Sequence, residues 1–267
     1  MQRDNMNAAL PQEMQQHTYA IMDEVEGSHW WFVGRRAILE TFLSGIVKHL
    51  KSVHSEIAAN GHRALRILDV GCGTGANIEM LSAFGEAEGV DVSDDALEFC
   101  RKKGLKVQKG LAETLPYTDE TFELTTALDV IEHLDDDIAG LREMFRVTKR
   151  GGYSLFFVPA FMWLWGVQDD ISHHRIRYTR KQIVERIEKA GYKVERATYA
   201  NWTFFPPILA GRTLMRLTGI KPESENNINV SALNGLFGTL FSTERFWLKN
   251  FNFPFGVSIV VVARKPE

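Results

Sequence analysis

The hydrophobic and polar positions of the chain follow two periods. In "RRAILETFLSGIVKHL" the apolar residues Leu39, Phe42, Leu43, Ile46, Val47 and Leu50 recur at helical spacing, with Arg36, Glu40 and Lys48 opposite them. This predicts an amphipathic helix that packs on an apolar surface. The polar "KSVHSEIAANGHR" reads as a linker. From "ALRILDV" onward the period changes. The runs "LRILDV", "AEGVDV", "LKVQKG", "FELTTALDV", "YSLFFVP" and "YKVERATY" read as strands, and they alternate with the helical patterns "GANIEMLSAF", "DDALEFCRKK", "DDDIAGLREMFRVTK" and "RKQIVERIEKA". Such alternation predicts an α/β domain, a parallel sheet covered by helices on both faces. The last run, "FGVSIVVVARKP", reads as a strand buried within that sheet, and the stretch from "NWTFFPP" to "LKNFNFPF" is an insertion before it.

Composition narrows the partners. The chain has 267 residues, 45% hydrophobic and 24% charged, which suits one large domain or a core with an added subdomain. A formal net charge of -3 offers no basic field, so no nucleic acid is expected. The two cysteines, Cys72 and Cys100, are too few for a disulfide framework, and the N-terminus lacks the order of a signal peptide. A cytoplasmic, reduced setting is expected. No apolar run approaches the roughly 20 residues that span a bilayer, so any membrane contact is peripheral.

The stretch "LDVGCGTGAN" concentrates the chemistry. Gly71, Gly73 and Gly75 follow a strand and precede a helix, where bare backbone N–H groups can meet a ligand. "GCGTGA" also fits the dinucleotide pattern G-x-G-x-x-G/A, so the glycines alone leave the cofactor open. Asp69, directly before them, lies outside that pattern and suits a ligand with a cationic amino group. Asp91, at the end of the next strand, can accept two hydrogen bonds from a ribose diol.

These residues resemble the class I S-adenosylmethionine-dependent methyltransferases, in particular the bacterial type 11/12 small-molecule group. The motifs, in order, are "LDVGCGTG", "GVDVSDDAL", "AETLPYTDETFEL", "LDVIEHL" and "LREMFRVTKRGGYSLFFVPA". The resemblance implies a Rossmann-like seven-stranded sheet in the order 3-2-1-4-5-7-6 with the last strand antiparallel. It implies S-adenosylmethionine as cofactor and S-adenosylhomocysteine as product. Asp69 and the backbone of Gly71, Cys72, Gly73 and Gly75 would lie near the methionine moiety, Asp91 on the ribose, Val92 against the adenine, and Asp129 at the end of strand four. Where many relatives have "GDAE" this chain has "GLAE", so Leu111 and Ala112 would offer the adenine only backbone and apolar surface. The implied organisation is an N-terminal helical lid or cap over 1–60, a cofactor-binding core over 61–200, a helical insertion over 201–254 and the final core strand over 255–267.

The acceptor side is more particular. "EVEGSHWWFVGRR" and "WLWGVQDDISHHRIRYTR" mix aromatics with His and Arg, which are costly to bury without partners. His29, Trp30, Trp31, Arg35 and Trp165 are candidate acceptor contacts. His174, His133, Tyr178, Asp169 and Arg177 are candidate catalytic residues, with the two imidazoles as proton acceptors. Asp129, Glu132 and His133 stand at i, i+3 and i+4, as on one helical face, and resemble the acid-x-x-Glu-His ligands of the ubiquinone-pathway O-methyltransferases. Because "EHL" is common in methyltransferases that use no metal, no metal is expected, with Glu132 solvated and His133 lining the acceptor pocket. In the insertion, Leu233, Leu236, Phe237, Leu240, Trp247 and Leu248 fall at helical spacing. They suit a lid over the site, a surface resting on a bilayer for a lipid-linked acceptor, or packing on the sheet or a second subunit. The expected activity is methyl transfer to a small-molecule or lipid-linked acceptor by direct in-line displacement. An NAD-dependent oxidoreductase and a non-catalytic partner subunit are the alternatives.

Overall fold

The computed structural model describes residues 16–53, 64–219 and 231–267. Most of the expected linker, and part of the insertion, lie outside the described residues. The strands are β1 (Arg66–Val70), β2 (Glu86–Asp91), β3 (Val107–Lys109), β4 (Phe122–Leu128), β5 (Thr148–Pro159), β6 (Lys193–Ala200) and β7 (Ser258–Arg264). They form one sheet in the order β3-β2-β1-β4-β5-β7-β6. β1 to β5 pair in parallel, and β7 lies antiparallel between β5 and β6, the order the resemblance implied. The direction of winding reverses between β1 and β4, and in open α/β sheets a crevice opens at that point beyond the carboxyl ends of the strands.

The helices are α1 (Gln16–Val25), α2 (Trp30–Val53), α3 (Ala76–Ser82), α4 (Asp94–Lys102), α5 (Asp137–Val147), α6 (Val167–Ile171), α7 (Arg180–Lys189), α8 (Phe205–Thr218), α9 (Ser231–Ser242) and α10 (Glu244–Leu248). Successive strand residues face opposite sides, so each face of the sheet acquires its own core. On one side Ile38, Leu39, Leu43 and Leu50 of α2 bury against Ile67, Leu124, Leu155, Phe157 and Val260, joined by Phe241 of α9 and Leu248 of α10. On the other, Leu141 and Met144 of α5 and Ile183 and Ile187 of α7 bury against Leu68, Val70, Phe156, Val158 and Val261. Helix α2 is therefore a covering layer of the core. It is α1 and the turn after it that reach over the glycine-rich segment: Thr74 Oγ1 donates to Glu26 Oε2 at 2.5 Å, and Lys103 pairs with Asp23 at 2.6 Å.

The apolar pattern of the insertion's second half is interrupted at Thr243. Thr239 and Ser242 hydroxyls donate to the carbonyls of Gly235 and Gly238 one turn back, a pairing that bends helices. Glu244 then turns inward to 2% exposure and accepts from the backbone N–H groups of Asn201 and Thr203, each at 2.8 Å. This carboxylate fastens the insertion to the end of β6. Replacing it by Ala strands two backbone donors, each costing about 1–3 kcal/mol when left unpaired in the interior. Glu244→Ala is expected to lower the urea midpoint accordingly, and an unchanged midpoint would show that the insertion is held elsewhere.

Candidate active site

The turn after β1 places three glycines at positive φ: Gly71 at 68°, Gly73 at 53° and Gly75 at 96°. A Cβ on Gly71 would sit 2.4 Å from Val130 Cγ2, and one on Gly75 would sit 2.4 Å from Leu105 Cδ1, whereas nothing lies within 4 Å of the same position on Gly73. Gly71 and Gly75 are thus required by packing, and Gly73 faces open space. The Gly71 and Cys72 N–H groups donate to the Val90 carbonyl, and Gly73 N–H donates to Asp91 Oδ2 at 2.9 Å. Asp91 Oδ1 accepts from Ser93 N–H at 2.9 Å. Burial pushes the Asp91 carboxyl up from its ordinary pKa, against the pull of the Ser93, Gly73 and Val92 backbone. Each oxygen retains acceptor capacity for a further donor such as a hydroxyl.

Asp69 is fully buried. Thr126 Oγ1 donates to its Oδ1 at 2.6 Å, while its Oδ2 is buried with no hydrogen bond. Burial raises its pKa to about 7, although Thr126, the Arg35 guanidinium and the Asn77 amide each oppose that shift. A buried carboxylate with an unpartnered oxygen, beside an open glycine backbone, fits a ligand carrying an ammonium group. At the end of β4, Asp129 takes a left-handed conformation with φ 60°. Its Oδ2 pairs with Arg35 Nε at 2.9 Å, and Arg35 Nη2 donates to the Leu128 carbonyl at 3.0 Å.

The segment after β5 folds around Asp169, which is fully buried. Its Oδ1 receives His174 Nδ1 at 2.8 Å and Arg177 Nε at 2.7 Å, and its Oδ2 receives the Gly166 N–H at 2.6 Å. Burial alone would raise its pKa, but the His174 and Arg177 contacts and the Gly166 amide bring it down to about 2. His174 Nε2 points to Glu132, 3.9 Å from Oε1. The His133 ring lies edge-on to that of His174 with centroids 4.7 Å apart. Burial, then the neighbouring His174, His173 and Arg175 charges, hold the His133 pKa down at about 3.

Residues 68–156 match the family model described as a methyltransferase domain. Residues 68–156 thus carry a methyltransferase domain. It is 30% identical over 139 residues to a 2-methyl-6-phytyl-1,4-hydroquinone methyltransferase of Oryza sativa subsp. japonica, covering 49% of this chain and 42% of that one. It is 35% identical over 104 residues to a ubiquinone biosynthesis O-methyltransferase of Alkalilimnicola ehrlichii, covering 36% and 42%. The chain thus spans less than half the length of these relatives. A S-adenosylmethionine-dependent methyltransferase structure from Thermotoga maritima shares the fold, with a TM-score of 0.53 and 22% identity over 95% of this chain and 100% of that one. The cofactor of such a domain is S-adenosylmethionine.

Within this methyltransferase domain and its neighbours the expected site residues sort into two groups. Asp69, Gly73, Asp91 and Asp129 gather at the switch between β1 and β4, with Val92, Leu111 and Ala112 half-buried beyond β2 and β3. His133 and His174 come together, as drawn above. Tyr178 does not join them: it is fully buried, its hydroxyl donates to Asp137 Oδ2 at 2.8 Å, and burial followed by the Asp137 charge drives its pKa upward. Asp169 and Arg177 are buried supports of His174, and Arg177 also donates to the Ala160 carbonyl at 3.0 Å. Trp165 gives its indole N–H to Asp170 at 2.8 Å. Trp30 packs against Phe204 and Phe241 of the insertion, and Trp31 against Phe157 and the Arg35 guanidinium. His29 is buried, accepts the Trp31 N–H on Nδ1, and has its pKa lowered by burial. Arg35 belongs to the carboxylate cluster by virtue of its pairing with Asp129.

Two expectations are corrected. Asp129, Glu132 and His133 do not share a helical face, because only Ile131–His133 form a single 3-10 turn and Asp129 lies outside it in the left-handed region. Glu132 is not solvated: it is completely buried, and neither carboxylate oxygen has a hydrogen-bond partner. Thr126 was not legible as a site residue, since only the fold brings its hydroxyl to Asp69.

The raised Asp69 pKa sets a pH dependence. A carboxyl whose folded pKa lies near 7, above its ordinary value of 3.8, favours the folded state while protonated and loses that contribution as pH rises between those values. Without cofactor, the stability advantage of Asp69→Asn over the parent chain is expected to grow from pH 4 to pH 7 and then level off. Chemical denaturation at several pH values measures it.

Proposed function

We propose that the chain transfers the methyl group of S-adenosylmethionine to a small acceptor with a long apolar, lipid-like part, by direct in-line displacement. The observation that carries this reading is a juxtaposition at one sheet edge. Gly71 packs against Val130, so the open glycine turn with Asp69 and Asp91 adjoins the segment that carries Asp129, Glu132 and His133, and the His174 ring lies against that of His133. In this reading Asp69 Oδ2 accepts from the methionine ammonium, the Gly71 to Gly75 backbone lies along that moiety, and Asp91 accepts from the ribose hydroxyls. Val92, Leu111 and Ala112 flank the adenine. The bound sulfonium supplies an activated methyl group, and no covalent enzyme intermediate is needed. Holding donor and acceptor in line accounts for about 7 kcal/mol or more of barrier reduction. The proton lost by a protic acceptor leaves beside the group formed by Glu132, His133 and His174.

The surface supports the apolar acceptor. Trp163, Phe205, Phe255 and Trp202 form a row with successive ring centroids 5.8, 4.9 and 6.1 Å apart, and both tryptophans are exposed. Leu217, Leu236, Phe246 and Trp247 of α8 to α10 are exposed too, beside exposed Arg216, Arg245 and Lys249. Exposed aromatic and aliphatic side chains with basic ones on the same helices or next to them in sequence suit a surface resting at a bilayer interface. Among the described residues no helix is long and apolar enough to cross a membrane. The rice relative is named for a hydroquinone bearing a phytyl chain, an acceptor of this general kind.

Calorimetric titration is expected to show S-adenosylmethionine binding to the chain and its loss in Asp91→Ala. Preference for NAD would return the oxidoreductase reading, and cofactor binding without turnover on any quinol or lipid acceptor would favour a non-catalytic subunit. His174→Ala is expected to cut turnover by about 10²-fold or more at unchanged cofactor affinity. Sedimentation with anionic vesicles is expected to carry the chain down, and Phe246→Ser with Trp247→Ser to weaken this; a chain that stays in the supernatant removes the bilayer contact.

A further inference from the structure

We propose that Glu132, His133 and His174 form a binding site for one divalent first-row transition-metal ion. Each residue offers one ligand atom, and the three atoms lie within 4.8 Å of one another. Ligands bound to one ion at about 2.1 Å stand about 3.4 Å apart, so small side-chain rotations close the set. The independent sign of a missing partner is Glu132. It is fully buried, and both of its oxygens lack a hydrogen bond. A buried carboxylate left in this way is costly unless it is neutralised by proton or cation, and burial together with the Asp129 charge pushes its pKa well up.

The surroundings of the two imidazoles are those of metal ligands. His174 is held through Nδ1 by the Asp169 carboxylate at 2.8 Å, which leaves Nε2, the nitrogen nearer Glu132, to bind. A carboxylate behind a ligating histidine fixes the ring and raises its basicity. His133 lies edge-on to His174, with ring centroids 4.7 Å apart, so both imidazoles reach the same point. The set is not the acid-x-x-Glu-His arrangement suggested by the local spacing. Asp129 is taken by Arg35 at 2.9 Å, and the third ligand comes from beyond β5. Two imidazoles and one carboxylate favour zinc, cobalt, iron or manganese over magnesium, which prefers oxygen ligands. Three protein ligands leave coordination positions open. If the proposed methyl transfer holds, an acceptor oxygen bound there would lose its proton to solvent on coordination, and the imidazoles would serve as ligands.

The test measures metal binding itself on the whole chain, without S-adenosylmethionine, so its outcome is separate from that of the methyltransferase reading. After treatment with chelator, Co2+ is titrated by visible absorption and Zn2+ by calorimetry. One equivalent per chain is expected, with d–d bands and no intense thiolate charge transfer. His174→Ala and Glu132→Gln are expected to lose most of this binding, and Asp169→Asn to weaken it about 10- to 100-fold. Thermal unfolding confirms that each variant is folded. Absence of Co2+ and Zn2+ binding by the parent chain would overturn the proposal, as would thiolate bands from Cys72 and Cys100 or unchanged binding in folded His174→Ala. Metal binding without cofactor binding would keep this site and refute the methyl-transfer reading.

Discussion

The middle of the molecule depends on one buried guanidinium. Arg35, 4% exposed, pairs with Asp129, donates to the Leu128 carbonyl and lies 5.2 Å from the Trp31 ring centroid and 5.4 Å from that of Phe157. Burial raises the pKa values of Asp69, Asp129, Glu132 and Glu26, and in each case the Arg35 charge opposes it. A cluster of carboxylates at a strand edge is unstable without such a cation, because desolvated like charges repel with little screening. Arg35 stands on the same helix whose Ile38, Leu39 and Leu43 cover the sheet. The helix that closes the core is therefore also the one that makes the carboxylate edge tolerable, and neither role can be altered alone.

A second hub, Asp169, does for the segment after β5 what Arg35 does for the carboxylates at the end of β4. It gathers His174, Arg177 and the Gly166 amide into a short segment after β5. The insertion is tied to that segment: Arg212 donates to the Leu164 carbonyl and Arg216 to the Trp165 carbonyl. Glu244 secures the other half of the insertion to the end of β6. Helix α8 is thus anchored directly to the segment that holds His174. This gives the insertion a mechanical connection to the site that its apolar composition alone does not suggest.

Much of this was legible in the sequence because it rests on local patterns. Strand and helix periods predicted the alternating core, and the order of motifs, by resemblance, the sheet order. The glycine turn is local in the same sense, since Gly71, Gly73 and Gly75 are demanded by backbone angles that spacing can reveal. What was not legible is set by contacts between distant segments. Glu132 reads as a solvated acid until the loop after β5 packs over it with Arg175 and His174. Tyr178 reads as a catalytic hydroxyl until Asp137, far away in sequence, claims it. Arg35 and Trp31 read as acceptor contacts until the fold sets them against Asp129 and Phe157. Side-chain type announces polarity; only the tertiary fold decides whether that polarity is spent on a partner in the protein.

Backbone conformation locates the same edge without reference to any of these side chains. Asp129 follows β4, Phe161 follows β5 and Asn201 follows β6, and these non-glycine residues have φ of 60°, 61° and 58°. Because β4 pairs in parallel with β5, and β5 and β6 each pair antiparallel with β7, the three strands end on one side of the sheet. Left-handed residues other than glycine cost about 1–3 kcal/mol each and persist only where their surroundings enforce them. Here the enforcement is visible: Arg35 on Asp129, Tyr199 stacked on Phe161 at 5.1 Å, and Glu244 on the Asn201 amide. Strain that is imposed at the ends of three strands on one side of the sheet, each time by a separate element, turns the chain sharply away from it. The carboxylates at the end of β4 and the imidazoles after β4 and β5 are brought together where these turns leave the sheet.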